Sequence, residues 1–231
     1  MRGFFLSFVS FIMDILEDKE VVLFDMDGTL VDHFNVIHQC FNYAFSKIGE
    51  PPLSYKKVLK SVGGSMPVTM IRLIGEDKAP LAVPYFTEHF NEIFLKEIII
   101  LEGVIDFMDK LQKQGKRLGI FTNKQGDITR GMLRHLKLDP YFEYVFGAGD
   151  TIWKKPDPEF TITVLDAFNV DSKNACMVGD SPFDFQASAC VGVDCILLTT
   201  GTHSRSELLK ETDSKHIYRN LVEFMALGQN L

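Results

Sequence analysis

Four short stretches of this 231-residue chain put carboxylates, an ammonium group and neutral hydrogen-bonding groups where a polar ligand could meet them. The first, Val21-Val-Leu-Phe-Asp25-Met-Asp27-Gly28-Thr29, sets two carboxylates two residues apart at the end of an apolar run. A continuing strand would point both to one face. A chain that leaves the strand after Asp25 can instead aim one carboxylate at a substrate and turn the other residue's carbonyl toward a metal. Gly28 permits that turn. Asp-x-Asp-Gly also opens calcium loops, but Thr29 and Val36 stand where such a loop needs further ligands.

The second stretch, Gly119-Ile-Phe-Thr122-Asn123-Lys124, ends another apolar run with a hydroxyl and an amide able to bond phosphate oxygens. In isolation it reads better as a turn. The third, Trp153-Lys-Lys155-Pro156-Asp157-Pro158, holds Lys155 beside prolines, either as a positioned cation or as a solvated loop lysine. The fourth, Met177-Val-Gly179-Asp180-Ser181-Pro-Phe-Asp184, carries two carboxylates four apart, and Asp184 also suits a helix N-terminus. Each follows or faces a strand end, the edge at which open α/β sheets bind ligands. Four acids grouped there repel one another unless a divalent cation sits among them. Oxygen ligands at few positions suit Mg²⁺, which also accepts phosphate oxygens. No Walker-type glycine loop is present, which disfavours nucleotide-driven phosphoryl transfer.

The elements that must position these groups follow from periodicity. Short runs apolar on both faces, expected as buried parallel strands, cover 21–25, 117–122, 144–147, 175–179 and 195–198. Helical patterns fall at 104–114, 127–136, 159–168, 184–191 and 221–227, and the stretch from Gly201 to the last helix reads as a polar loop. This alternation predicts an α/β fold with a Rossmann-like parallel sheet in three α/β/α layers. About 90 residues separate the first two strands, far more than a crossover needs. Only helical patterns lie there, at 34–48, 55–62, 67–74 and 81–97, so 33–98 is expected to form an inserted helical cap. The core would then comprise 19–32 and 99–231, after an extension at 1–18. Within the cap, the Gly63-Gly64-Ser65 loop before a helix could bind an anion, and Arg72 could meet a substrate carboxylate or be simply solvated.

Composition narrows the classes further. The formal net charge of −7 implies no basic face, so nucleic acid is not an expected partner. Cys40, Cys176, Cys190 and Cys195 show no metal-binding spacing and are expected as reduced thiols in a cytoplasmic protein. Residues 3–13 are apolar like a short signal core, yet too few for the ~20 residues of a membrane span, and no cleavage pattern follows. They read as a packed or loose extension. A true start at Met13, or membrane association, are the other readings.

Taken together, Asp25-Met-Asp27-Gly28-Thr29, Thr122-Asn123, Lys155-Pro-Asp-Pro and Gly179-Asp180-Ser-Pro-Phe-Asp184 resemble the four-motif signature of the haloacid dehalogenase-like hydrolase superfamily. The resemblance spans 21–198, and the Thr-Asn-Lys and Gly-Asp-Ser-x-x-Asp patterns are similar to its phosphoglycolate phosphatases. It implies Asp25 as nucleophile and Asp27 as acid and base. It also implies Mg²⁺ held by Asp25, Asp27 through its carbonyl, Asp180 and Asp184. Lys155, Thr122, the Asn123 region and backbone N–H groups at Met26 and Gly28 would cradle the phosphoryl group, with Ser65 and Arg72 as cap contacts. Asp27 disfavours carbon–halogen chemistry, whose members lack that acid, and Gly179 stands where β-phosphoglucomutase-like members usually carry Glu. His33 departs from the Ser or Thr common in relatives at the cap hinge. The implied function is Mg²⁺-dependent hydrolysis of a small phosphorylated metabolite, phosphoglycolate first, by a monomer or homodimer. A sugar-phosphate phosphatase, a phosphotransferase on the same core and a non-catalytic binding protein are the alternatives.

Overall fold

The structure, a computed structural model, describes residues 15–227. The apolar stretch at 3–13 lies outside the described residues. Strand β1 (Val21–Phe24) is buried along its whole length, as its unbroken apolar sequence demands. It forms the middle of a six-stranded parallel sheet in the order β5-β4-β1-β6-β7-β8. The other strands are β4 (Arg117–Gln125), β5 (Tyr144–Ala148), β6 (Ala175–Gly179), β7 (Asp194–Leu198) and β8 (Ile217–Tyr218). Val21 pairs with Arg117 on one side and Ala175 on the other, and Phe24 pairs with Ile120 and Val178. This register brings the ends of β1, β4 and β6, and so Asp25, Thr122 and Asp180, to one edge.

Alternation along the strands supplies two cores. Val22, Phe24, Ile120, Val178 and Ile196 face the helix Val104–Lys113 through Phe107, Met108 and Leu111. Val21, Leu23, Phe121, Met177 and Leu197 face the helix Pro158–Phe168 through Phe160, Val164 and Phe168. Helices on both faces make the three-layer α/β/α arrangement expected. Ile15 and Leu16, assigned in sequence to the extension, pack into the first of these cores.

Three features of the fold were not visible in the sequence pattern. β4 runs to Gln125, where it pairs with Ala148 after a register shift, so Asn123 and Lys124 lie on strand rather than in a turn. The stretch expected as a polar loop contains the helix Arg205–Glu211, begun by a Ser204–Glu207 capping box, and the two-residue β8. A second ribbon pairs β2 (Val31–Asp32) antiparallel with β3 (Ile99–Ile100). Strands of two residues are too short to display a period.

The helices Phe34–Lys47, Tyr55–Ser61, Met66–Ile74 and Ala79–Ile93 pack over the same sheet edge around their own core of Cys40, Phe41, Phe45, Val58, Met70 and Phe86. The β2–β3 ribbon joins this layer to the sheet. All four cysteines are free thiols; Cys40, Cys176 and Cys195 are buried and Cys190 is exposed. No helix of the described residues is long and apolar enough to cross a membrane.

Candidate active site

Asp25 follows β1 directly, and its N–H continues the ladder by donating to the Val178 carbonyl at 3.0 Å. Its Oδ1 accepts from Lys155 Nζ at 2.9 Å. The same ammonium donates to Asp184 Oδ1 at 2.5 Å and to the Phe121 carbonyl at 2.9 Å. All three ammonium protons are thus directed. Asn123 explains why the loop carrying Lys155 is fixed. Its Oδ1 accepts from the Lys155 N–H at 2.8 Å and its Nδ2 donates to the Lys155 carbonyl at 2.9 Å. Both ends of the Asn123 amide therefore grip the Lys155 backbone.

Asp184 serves two ends. Its Oδ2 accepts from the Asp180 N–H, the Ser181 N–H and the Ser181 hydroxyl at the start of the helix Pro182–Ala189. The capping role is real, and the other oxygen is turned to Lys155. Asp180 accepts from the Thr202 N–H at 3.1 Å through Oδ2. A Cβ at Gly201 would come within 1.8 Å of that oxygen, and one at Gly28, which has φ 83°, within 2.9 Å. Glycine at these two positions lets two backbones close around one carboxylate.

One oxygen from each of Asp25, Asp180 and Asp184 lies within 4.8 Å of the others. Burial raises the Asp25 carboxyl to about 6, with Lys155 opposing and Asp184 adding to the rise. Burial, with Asp184 and Asp25 beside it, pushes Asp180 well above the carboxylate range. Burial alone would lower the Lys155 ammonium, but Asp184 and Asp25 outweigh it and hold it above its ordinary value. Three clustered carboxylates against one lysine leave an excess of negative charge. An all-oxygen donor set with that excess fits a hard divalent cation such as Mg²⁺.

Asp27 lies beside this cluster with a different partner. Its Oδ2 accepts from Lys124 Nζ at 2.7 Å, while Oδ1 is buried and has no hydrogen-bond partner. Lys124 also donates to His33 Nδ1 at 3.3 Å and stands 5.2 Å from the centre of the Phe90 ring. His33 is fully buried, and burial, with Lys124 adding, lowers it to about 4 against the contrary pull of Asp27 and the Phe94 backbone. It is a neutral imidazole at neutral pH.

These groups open onto a cavity of about 360 Å³ between the sheet edge and the helical layer. Asp25, Asp27, Thr122, Asn123, Lys155 and Asp180 line it, with Ser65 on the opposite wall. Asp184, Met26, Gly28 and Arg72 are not among its lining residues. Asp184 lies beneath the floor. Met26 is expected to act through its backbone N–H, and its side chain is buried in the sheet core. The Gly28 N–H is engaged by the Val31 carbonyl at 2.8 Å, so this glycine acts through its shape. Arg72 is not part of the lining; its guanidinium lies 5.7 Å from the Phe183 ring and donates to the Ser61 carbonyl at 3.3 Å. Sequence reasoning overlooked Lys124 as a partner of Asp27, and the Gly201-Thr202 brace. The first had a signal, a lysine directly after Thr122-Asn123; the brace had none in its own segment.

The sequence profile of the haloacid dehalogenase-like hydrolases matches residues 22–198. A protein of Pseudomonas aeruginosa named phosphoglycolate phosphatase 1 is 32% identical over 197 residues, covering 80% of this chain and 71% of its own. A phosphoglycolate phosphatase of Pseudomonas savastanoi pv. phaseolicola is 31% identical, covering 80% and 72%. Among solved structures, a haloacid dehalogenase-like family hydrolase of Streptococcus pneumoniae superposes with a TM-score of 0.82 at 22% identity, over 90% of this chain and 98% of that one. At that identity the likeness concerns the fold.

Proposed function

Because the chain belongs to the haloacid dehalogenase-like hydrolase family, we propose that it hydrolyses a phosphate monoester of a small metabolite through an aspartyl-phosphate on Asp25. The observation that carries this reading is the Lys155 ammonium shared between Asp25 and Asp184, with Asp180 alongside, at the base of the cavity.

An Asp25 oxygen attacks phosphorus as the bond to the leaving oxygen breaks. Asp27, which lines the cavity, gives a proton to that oxygen so that it leaves as an alcohol. Asp27 then takes a proton from a water that attacks the phosphoryl group, releasing phosphate and restoring Asp25. Lys124 sets the direction of the Asp27 carboxylate, and Lys155 offsets charge on the transferring group. Asn123 acts by holding Lys155. Asp25, Asp180 and Asp184 are the residues that would hold Mg²⁺, with the Asp27 carbonyl as a further ligand. When bound, the ion neutralises phosphoryl oxygens and the acid cluster.

Phosphoglycolate is the substrate named for the relatives and the first expectation from sequence. Its carboxylate would require a cation on the cap wall, where the expected one, Arg72, is missing from the lining. The test of the chemistry is substrate-neutral. Asp25→Asn should fold yet release no phosphate from any ester, and EDTA should silence the wild type with Mg²⁺ restoring it. Near-native turnover by Asp25→Asn, or activity insensitive to chelation, contradicts the reading.

A further inference from the structure

We infer that the ester this site prefers carries an uncharged, largely apolar leaving group, aromatic or branched aliphatic, rather than a short carboxylate-bearing one. The inference rests on the proposed phosphatase chemistry and adds the class of alcohol released.

The two walls of the cavity differ in kind. The sheet-edge wall holds the charged groups, Asp25, Asp27, Lys124, Lys155 and Asp180 among them. The opposite wall is supplied by the helical layer and, among the described residues, contributes no charged side chain. Phe34, Ile37, Phe41, Met66, Phe86 and Phe90 are its large apolar members. Three of these rings are coupled. Phe41 and Phe86 have centroids 4.7 Å apart, and Phe86 and Phe90 are stacked at 5.5 Å. Such a wall is rigid, because each ring is held by its neighbour. The polar groups that the helical layer adds, Ser65, Thr69, Thr87 and Asn91, are neutral.

Charge decides against a glycolate-like body. A carboxylate transferred from water onto an apolar wall without a cation loses most of its hydration uncompensated. The two lysines that line the cavity are committed. Lys155 spends its three protons on Asp25, Asp184 and the Phe121 carbonyl. Lys124 is paired with Asp27 at 2.7 Å and rests against the Phe90 ring. Redirecting Lys124 to a substrate would strip Asp27 of its partner.

Size points the same way. A phosphoryl group and two carbons fill only a fraction of about 360 Å³. That volume falls within the ~300–1,000 Å³ of sites that enclose ligands of drug size. Apolar contact with the rings would be made by the leaving group alone, so selection falls on the alcohol and leaves the phosphoryl chemistry common to all esters.

The experiment compares ethyl phosphate, phenethyl phosphate and phosphoglycolate with the full chain and Mg²⁺. All three release primary alcohols. kcat/KM should rise at least about tenfold from ethyl to phenethyl phosphate, the expected return on burying a ring. Phosphoglycolate should not exceed ethyl phosphate. Met66→Lys, which places a cation on the apolar wall, should narrow the phenethyl-to-glycolate ratio by about tenfold. Phosphoglycolate as the best of the three in the wild type overturns the inference while leaving the phosphatase reading intact. Should no ester turn over, the phosphatase reading fails, and binding still judges the cavity. Phenethylphosphonate should then bind more tightly than phosphonoacetate, and the reverse order rejects the apolar class.

Discussion

Lys155 is the residue on which the site's electrostatics turn. It is almost fully buried between two carboxylates, and its backbone is gripped by Asn123. Lys155→Ala removes the only direct cation contact of Asp25 and Asp184 among the described residues. Loss of a charge partner of the transition state should lower kcat on the order of 10²-fold or more. The metal-free protein should also lose about 3–5 kcal/mol of stability, because two buried acids are left facing each other. Activity and denaturant midpoints measured on the same variant check both effects. An unchanged kcat would remove Lys155 from the chemistry. Asn123 shows how far sequence reading reaches at this scale. The types Thr, Asn and Lys were legible as phosphate-site candidates, but which atom each amide end meets depends on a loop 32 residues away.

At the scale of elements, the hinge and the loop after β7 each expose one consequence of packing. His33 begins the helix Phe34–Lys47 fully buried and remains neutral down to about pH 4, whereas its ordinary value is 6.5. Between those values the unfolded chain takes up a proton that the fold refuses. Stability is therefore complete above about pH 6.5 and falls as pH drops, by about 3 kcal/mol over the full window. Between pH 7 and pH 4, urea unfolding of His33→Gln should lose about 3 kcal/mol less stability than the wild type; an equal loss would place the imidazole in contact with water. Gly201→Ala should displace Asp180, since the new Cβ would overlap its carboxylate. The variant should stay folded but need at least about tenfold more Mg²⁺ for half-maximal activity; a wild-type requirement would show that Asp180 does not depend on this brace. The parallel strands, the flanking helices and the four helices of the inserted layer were readable from periodicity. The Gly201-Thr202 brace was not, because its function depends on contact with the turn after β6, and no pattern within 199–204 encodes that contact.

For the molecule as a whole, one sheet register does most of the positioning. Pairing β1 between β4 and β6 sets Asp25, Thr122 and Asp180 along one edge, and the helical layer closes a cavity over them. The motif order in the sequence foretold this edge, since open α/β sheets concentrate ligand groups at strand ends. The lining of the opposite wall was not foretold. Phe34, Phe86 and Phe90 carry the spacing of ordinary core aromatics, and only the packing of four helices shows that they also line the cavity. The proposed chemistry requires a covalent phosphoryl group passing through Asp25. Its most direct measurement is rapid quenching during turnover with Mg²⁺, followed by borohydride reduction and peptide mass spectrometry. The account predicts homoserine at position 25 alone, in the wild type and not in Asp25→Asn. Reduction at another carboxylate, or turnover with none trapped at 25, would contradict it.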